Sequence, residues 1–204
     1  MSTGFLEHGR VGQKRRTHAA LVDAARGLLA SGSTPTVEEA AEAAEVSRTT
    51  AYRYFPNQAA LLAAVHPEIE AQSMRTRERD DPVVRVDDVV DELTRVIVEG
   101  EAHYRATLRL SLELEPAEAR EALPLRQGRA IGWFQEALAP LADELGPEAT
   151  EALAVALRSA TGIEAFVWLT DVAGLDRERA RCLMRWSARA MVQSALAGDL
   201  PPTR

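Results

Sequence analysis

The segment "TVEEAAEAAEVSRTTAYRYF", residues 36–55, decides the fold of this chain. Thr36 is followed three residues later by Glu39, which is the spacing of a capping box at a helix N-terminus. The pattern predicts a short helix over 37–44 whose small alanines allow close packing against a neighbouring helix. The turn "EVS" then ends in Ser47, a residue suited to cap a second helix. The segment therefore predicts two helices joined by a tight turn.

The second of these helices is predicted over 48–55, because Pro56 cannot continue it. Asn57 is placed to cap a further helix, which is predicted to run to about Glu70. Upstream, the segment 13–30 predicts a first helix. The apolar positions of these two flanking helices are Ala20, Leu21, Ala24, Ala25, Leu28, Leu29, Ala60, Leu61, Leu62, Ala64 and Val65. The order is therefore helix, turn, helix, with one more helix on each side.

The stretch "VSRTTAYRYF" has an unusual composition for a helix. It holds one serine, two threonines, two arginines and two tyrosines. A core helix would be apolar, and a solvated helix would normally carry Glu and Lys. Hydroxyl, phenol and guanidinium groups can donate hydrogen bonds to phosphates and to base edges. The composition predicts a surface that contacts an anionic partner.

Two stretches together resemble the DNA-binding domain of the TetR family of bacterial transcriptional regulators: "TVEEAAEAAEVSRTTAYRYFPNQAALLAAV" and the preceding "RRTHAALVDAARGLLASG". The resemblance covers about residues 10–65. The rest of the chain matches that family only in length, helical character and order. The family usually has Gly where this chain has Glu45, and a non-Gly residue there costs about 1 kcal/mol if φ is positive. It also usually has a phosphate-binding Lys where this chain has Gln58, so one phosphate contact is weaker or missing.

The resemblance implies that the helix over 48–55 enters the major groove of DNA, where the first residues of a recognition helix reach base edges. Arg48 can donate two hydrogen bonds to guanine, and threonines can bind bases or phosphates. Tyrosines and the second arginine suit phosphates, while Ala51 and Phe55 face the domain core. The ring of Tyr54 can instead pack partly in that core. The predicted DNA-binding residues are Lys14, Arg15, Arg16, Thr36, Ser47, Arg48, Thr49, Thr50, Tyr52, Arg53, Tyr54 and Gln58.

The basic cluster Lys14, Arg15 and Arg16 stands at the start of the predicted first helix. Positive charge in a first turn opposes the helix dipole, so the cluster needs another explanation. Two explanations stay open: contact with the DNA backbone or minor groove, and an ordinary solvated cluster. Thr36 is predicted to cap its helix and also to touch a phosphate, because a helix N-terminus attracts anions.

The charge of the chain is unevenly distributed. The net charge is −7, which by itself argues against nucleic acid. Residues 1–65, however, hold 7 basic and 6 acidic side chains, and the remainder holds 17 basic and 25 acidic ones. The two parts differ in electrostatic character. We therefore predict a DNA-binding domain over 1–66 and a helical regulatory and dimerisation domain over 67–204.

The second part is predicted to be helical, which makes the whole chain all-α. Aromatic residues are only 5%, and Ala and Leu dominate. An apolar stripe recurs at Val86, Val89, Val90, Leu93, Val96 and Ile97. The last two helices are predicted over 148–173 and 176–197, with Ala180, Leu183, Met184, Ser187, Met191 and Ala195 recurring at helical spacing in the second. The family resemblance implies that these two helices pair with their copies in a second subunit.

A small-molecule pocket in the second domain is also implied by the resemblance. Glu164 stands in the apolar run "TGIEAFVWL", where a carboxylate is unusual. It can pair with a cationic ligand, although an internal Arg partner or an exposed position explains it as well. The aromatic side chains can equally be plain core. The candidate pocket residues are His103, Tyr104, Trp133, Phe134, Glu164, Phe166 and Trp168.

Several classes of function are not expected. Four histidines, at 8, 18, 66 and 103, lack metal-ligand spacing, and the chain has no Gly-rich phosphate loop, so neither an enzyme nor a metal or cofactor is predicted. Cys182 is the single cysteine; it suits a reducing cytosol and is predicted to be a small packing residue. The N-terminus lacks the apolar core of a signal peptide, and the apolar runs look too short to span a membrane.

Two hypotheses from different classes remain. The first is a cytoplasmic, homodimeric repressor that leaves a palindromic operator when a small-molecule effector binds. A variant of it has no ligand, or activates transcription. The second hypothesis is a helical protein-interaction module with weak or vestigial DNA binding, which Glu45 and Gln58 would favour.

Overall fold

The computed structural model describes residues 3–65, 81–115, 117 and 129–203, with side chains omitted for 3–10 and 129. Within these ranges every regular element is helical, which confirms the all-α prediction. The first six helices are α1 Thr3–Ala30, α2 Val37–Ala43, α3 Arg48–Tyr54, α4 Gln58–Val65, α5 Pro82–Glu99 and α6 Glu101–Glu113. They are followed by α7 Arg129–Leu138, a 3-10 turn Ala139–Leu141, α8 Ala142–Leu145, α9 Pro147–Thr161, α10 Ile163–Val167, a π-helical turn Trp168–Val172 and α11 Arg177–Leu196.

The first helix begins earlier than its apolar pattern indicates. It starts at Thr3 rather than near Gln13, so the basic cluster at 14–16 lies in the middle of α1 and not in a first turn. The dipole argument for that cluster is therefore wrong. The apolar pattern missed this extension because the first ten residues have no regular stripe. The predicted extension of the fourth helix to Glu70 lies partly outside the described residues.

The helix starts follow the capping pattern of the sequence. The Thr36 hydroxyl accepts a hydrogen bond from the Glu39 amide at 3.2 Å, and the Glu39 carboxylate accepts one from the Thr36 amide at 2.8 Å. The Ser47 hydroxyl accepts from the Thr50 amide at 3.3 Å. The Asn57 side chain accepts from the Ala60 amide at 2.8 Å. All three predicted caps are confirmed.

The turn between α2 and α3 closes α2 with a Schellman motif. The Val46 amide donates to the Ala41 carbonyl at 2.8 Å, and the Glu45 amide donates to the Glu42 carbonyl at 3.1 Å. A Schellman motif requires a left-handed backbone at the residue that follows the helix C-cap. Here that residue is Glu45, whose φ is 54°. Glu45 therefore holds a conformation that Gly adopts more easily.

The chain divides into two compact units: Met1–His66 with Arg109–Gln127, and Pro67–Leu108 with Gly128–Arg204. In the first unit α1 packs on α2 and α4, and α2 packs on α3. Its buried apolar side chains are Leu21, Val22, Ala25, Leu29, Val37, Ala40, Ala41, Ala51, Phe55, Ala59, Leu61, Leu62 and Val65. Arg109 of α6 adds a hydrogen bond to the Thr34 hydroxyl at 3.2 Å. This core holds the α2–turn–α3 motif in place.

In the second unit, α5 packs on α7 and α11, and α9 packs on α7 and α11. Asp81 caps α5, and all six positions of the predicted apolar stripe are buried. Asp87 and Asp91 of α5 pair with Arg189 and Arg185 of α11. The apolar face and these ion pairs together hold α11 against α5.

The helix predicted over 148–173 is interrupted. Gly162 has an extended ψ of 177°, which separates α9 from α10. The Arg158 guanidinium lies over this glycine, and a Cβ added at Gly162 would be 1.7 Å from its Nη1. The chain then widens into the π-helical turn Trp168–Val172. The prediction of one continuous helix is therefore wrong, because its apolar pattern continues across the break.

The expectation that every apolar run is too short to span a membrane is wrong for the stretch Pro147–Val172. By length and composition it is apolar enough to cross a membrane, with a mean hydropathy of 1.4 in its most apolar window. A core helix of a soluble protein passes the same test, and 44% of that window is buried inside the structure. The stretch is therefore weak evidence for a span.

Cys182 is a second correction. It lies exposed on α11, with its thiol directed to the Glu178 carboxylate at 3.7 Å. The residues of α11 that pack in the core are instead Ala180, Met184, Ala188, Val192 and Ala195. Helical spacing alone does not define which face of α11 is buried. Leu183, which the spacing assigned to the apolar stripe, is also exposed.

Candidate nucleic-acid interface

The helix α3 separates buried anchors from exposed polar side chains. Ala51 is fully buried and Phe55, which caps the helix C-terminus, is 3% exposed. Arg48, Thr49 and Arg53 are exposed. None of these three has a hydrogen bond or ion pair among the described residues, so their donors remain available to a ligand. The predicted inward positions of Ala51 and Phe55 are confirmed.

The first turn of α3 is partly engaged in its own cap. The Ser47 hydroxyl donates to the Thr50 hydroxyl at 2.9 Å while it accepts from the Thr50 amide. Thr50 is half-buried, whereas Ser47 and Thr49 are exposed. Arg48 and Thr49 are therefore the side chains of this turn with free donors for a base edge.

Tyr52 makes a contact that the sequence did not indicate. Its phenol donates a hydrogen bond of 2.5 Å to the carboxylate of Glu38 on α2. This bond lowers the pKa of Glu38, and the nearby Arg48 charge lowers it slightly further. The same bond raises the pKa of the Tyr52 phenol. Sequence reasoning missed Glu38 because the two residues are 14 positions apart and meet only through the packing of α2 on α3.

Tyr54 lies between the two roles considered for it. Its side chain is half-buried, and its ring lies edge-on to His18 of α1 with ring centroids 6.3 Å apart. His18 also packs on Phe55 at 5.0 Å. The ring of Tyr54 is therefore held against α1, as in the alternative of partial core packing.

Two predicted phosphate ligands already have partners within the protein. The Thr36 hydroxyl donates to the Glu39 carboxylate at 2.9 Å, and the pKa of Glu39 is lowered, first by the Thr36 amide and then by that hydroxyl. The Gln58 amide donates to the Pro35 carbonyl at 3.0 Å. Gln58 thus ties α4 to the loop before α2.

The basic cluster of α1 is solvent-exposed. Lys14, Arg15 and Arg16 follow one another along the middle of the helix. They form no ion pair among the described residues. Consecutive helical positions point in different directions, about 100° apart, so one flat surface does not engage all three equally. The cluster supplies positive charge to the first unit.

The seven candidate pocket residues all belong to the second unit, but they differ in exposure. Phe134 and Phe166 are fully buried, and Trp168 is 58% exposed. His103 is buried beside Thr107, whose hydroxyl lies 3.3 Å from the His103 Nε2. Trp133 is half-buried. The two phenylalanines are core, and Trp168 faces solvent in the single chain.

Glu164 pairs with an internal arginine. Its carboxylate accepts a hydrogen bond of 3.1 Å from Arg158, whose side chain is only 16% exposed. The Arg158 charge also acts on Tyr104. Burial, the larger effect, raises the pKa of Tyr104 to about 12. Of the explanations considered for Glu164, the internal Arg partner is the one found.

A comparison with known protein families finds a match within the first unit. Residues 21–65 match the model of the bacterial regulatory proteins of the tetR family. Over 90 residues the chain is 36% identical to the HTH-type transcriptional repressor LfrR of Mycolicibacterium smegmatis. That alignment covers 44% of this chain and 46% of the repressor, so the match spans less than half of either protein. The family match contains α2, α3 and α4 in full.

Proposed function

We propose that this chain, whose residues 21–65 match the model of the tetR family of bacterial regulatory proteins, is a DNA-binding transcriptional repressor. The observation that supports the proposal is the division of α3 into a buried and an exposed side. Ala51 and Phe55 anchor this helix, while Arg48, Thr49 and Arg53 remain exposed, with donors that no described residue engages. Such a helix fits the major groove, where its first residues meet base edges. In this proposal the repressor acts on DNA in the cytoplasm.

In this proposal the contacts on DNA divide into two kinds. Arg48 and Thr49 read base edges, and Arg53, Tyr52 and the α1 basic cluster bind phosphates. Thr36 and Ser47 serve first as caps, and Gln58 first as a tie to Pro35. Their amide and hydroxyl groups reach DNA only as secondary contacts.

The test begins with selection of a binding site from a library of randomised duplexes. Arg48→Ala should then weaken binding to the selected site by about 1–3 kcal/mol while barely changing binding to random DNA. Arg53→Ala, the matched control, should weaken both by the same factor. Fluorescence anisotropy measures both affinities. Equal losses on the two DNAs for Arg48→Ala would contradict base recognition by Arg48.

We further propose that the repressor is a homodimer whose interface lies within 148–197. The support is a group of exposed large apolar side chains in this region: Val155, Trp168, Val172, Leu183, Trp186 and Leu196. Apolar side chains concentrated in this way mark an interaction surface. A two-fold dimer places two recognition helices about 34–36 Å apart, so the selected site should be a palindrome.

Release by a small-molecule effector completes the proposal. The buried His103 and Tyr104 and the partly buried Arg158 and Glu164 are the residues near which we propose its binding site, since pockets combine an apolar lining with a few placed polar groups. An effector lowers DNA affinity only by the difference in its affinity for two conformations. Such coupling is typically about 1–3 kcal/mol and is reciprocal, so operator DNA should weaken effector binding by the same factor. Calorimetry with and without DNA tests this, and equal affinities would remove effector control.

A helical protein-interaction module remains the second candidate. The strained Glu45 and the engagement of Gln58 with Pro35 favour it, because both depart from the family pattern at the DNA-binding domain. The same selection experiment separates the two candidates. An interaction module would enrich no sequence, whereas a repressor would enrich one palindrome.

A further inference from the structure

The hydrogen bond between Tyr52 and Glu38 joins two helices at the proposed DNA-binding surface. Tyr52 stands on α3, is 41% exposed, and is expected to bind a phosphate. In the DNA-free protein its hydroxyl donates instead to the Glu38 carboxylate at 2.5 Å. The group that should meet DNA is therefore already held by an acidic side chain of the same domain.

A phenol has one O–H and can fully donate it to one acceptor at a time. A phosphate oxygen and the Glu38 carboxylate are both anionic acceptors and compete for that proton. When Tyr52 turns to a phosphate, the Glu38 carboxylate loses its donor and stands beside another negative charge. Each binding event then includes the loss of a charge-assisted hydrogen bond, a class stronger than neutral hydrogen bonds.

From this geometry we propose that Glu38 is an internal competitor with DNA for the Tyr52 hydroxyl, and that it lowers the affinity of the protein for DNA of any sequence. The inference rests on the proposed function. Because Tyr52 is expected to contact phosphates and not bases, Glu38 affects specific and random DNA alike. It sets the strength of binding and leaves the ratio between cognate and random sites unchanged.

Glu38 has a second influence that the test must separate. Its charge attracts the neighbouring Arg48 and would repel phosphates without any hydrogen bond. Plain repulsion acts whether or not Tyr52 carries a hydroxyl, whereas competition needs that hydroxyl. A double-mutant cycle between Glu38→Ala and Tyr52→Phe therefore distinguishes the two.

The experiment measures fluorescence anisotropy with two labelled duplexes, one of random sequence and one selected by the wild-type protein. Glu38→Ala should raise affinity about three- to tenfold on both duplexes, the range expected for removing one competing hydrogen bond. In the Tyr52→Phe background the same change should have no larger effect than the control Glu42→Ala, which removes an exposed acid of the same helix. Glu38→Gln, which keeps an acceptor but removes the charge, should show a smaller gain. This variant carries the test if Glu38→Ala fails to give a cooperative thermal transition.

The outcomes separate the inference from the proposed function. If the wild-type protein binds neither duplex, both are overturned. If it binds but Glu38→Ala leaves affinity unchanged or lowers it, only the inference falls, and a lower affinity would mean that Glu38 orients Tyr52 for DNA. A gain that persists in the Tyr52→Phe background would also overturn it, in favour of plain repulsion. A gain confined to proteins that have the hydroxyl supports competition.

Discussion

At the residue scale, Glu45 shows how one position can carry a cost that the surrounding fold absorbs. The Schellman motif of α2 fixes its φ at 54°, and the side chain is exposed, so it gains no burial in return. A non-Gly residue in the left-handed region is destabilised by about 1 kcal/mol relative to Gly. The turn is flanked by the Schellman hydrogen bonds that close α2 and by the Ser47 cap that begins α3.

Glu45→Gly should therefore raise the free energy of unfolding by about 1 kcal/mol. Urea denaturation followed by circular dichroism measures the change. The matched control is Ala44→Gly in the same turn, where φ is −90° and a Gly only adds freedom to the unfolded chain. Ala44→Gly should lower stability. A loss of stability in both variants would show that the Glu45 side chain contributes more than its backbone conformation costs.

At the element scale, the π-helical turn Trp168–Val172 is fixed by one arginine of α6. Arg105 donates to both oxygens of Asp171, at 2.6 and 2.7 Å, and also to Glu101 of its own helix at 2.7 Å. Arg177, at the start of α11, donates to the other Glu101 oxygen at 2.6 Å. This network joins α6, the π-helical turn and α11 at the point where the chain leaves the regular helix.

The network predicts an acid-sensitive contribution to stability. The hydrogen bonds from Arg105, and after them the one from the Thr170 hydroxyl, lower the pKa of Asp171 from 3.8 to about 2. A carboxyl with a lowered folded-state pKa stabilises the fold above its unfolded pKa, and this contribution is lost as the pH falls through the folded value. The stability of the wild type should therefore fall more steeply than that of Asp171→Asn between pH 3.8 and about 2.

Urea denaturation at several pH values in this window measures the difference in slope. Asp143→Asn is the control, because it removes an exposed aspartate of α8 that has no hydrogen bond among the described residues. It should leave the wild-type slope unchanged. Parallel slopes for the wild type and Asp171→Asn would mean that solvent screens the exposed pair too strongly for it to matter.

At the scale of the whole molecule, the surface of the second unit is not what a monomer would be expected to expose. Trp168 is 58%, Val172 69% and Trp186 67% exposed. Large aromatic side chains contribute most to an interface when a partner buries them. The exposed face of α11 and the π-helical turn thus support the proposed contact between two copies of the chain.

If the protein forms the proposed dimer, Trp186→Glu should convert it to a monomer, because this change places a charge where the proposed interface excludes water. Sedimentation at micromolar concentration measures the mass. Gln135→Glu adds the same charge to an exposed position of α7 and should leave the dimer intact. The affinity of Trp186→Glu for a palindromic site should also fall, because a monomer contacts only one half-site. A wild-type protein that sediments as a monomer would rule out this interface.

The sequence by itself determined the starts of α2 and α3, the caps there, the apolar stripe of α5 and the buried anchors of α3, because these depend on residues within a few positions of one another. Packing decided the rest. Glu38 meets Tyr52 only because α2 lies on α3, and Arg105 meets Asp171 across 66 positions of chain. The apolar pattern did not predict the break at Gly162, because periodicity indicates which residues are buried and not where the backbone turns. Which face of α11 is buried likewise depends on the helices that pack against it. The sequence therefore predicted Cys182 to be buried, whereas it is exposed in the structure.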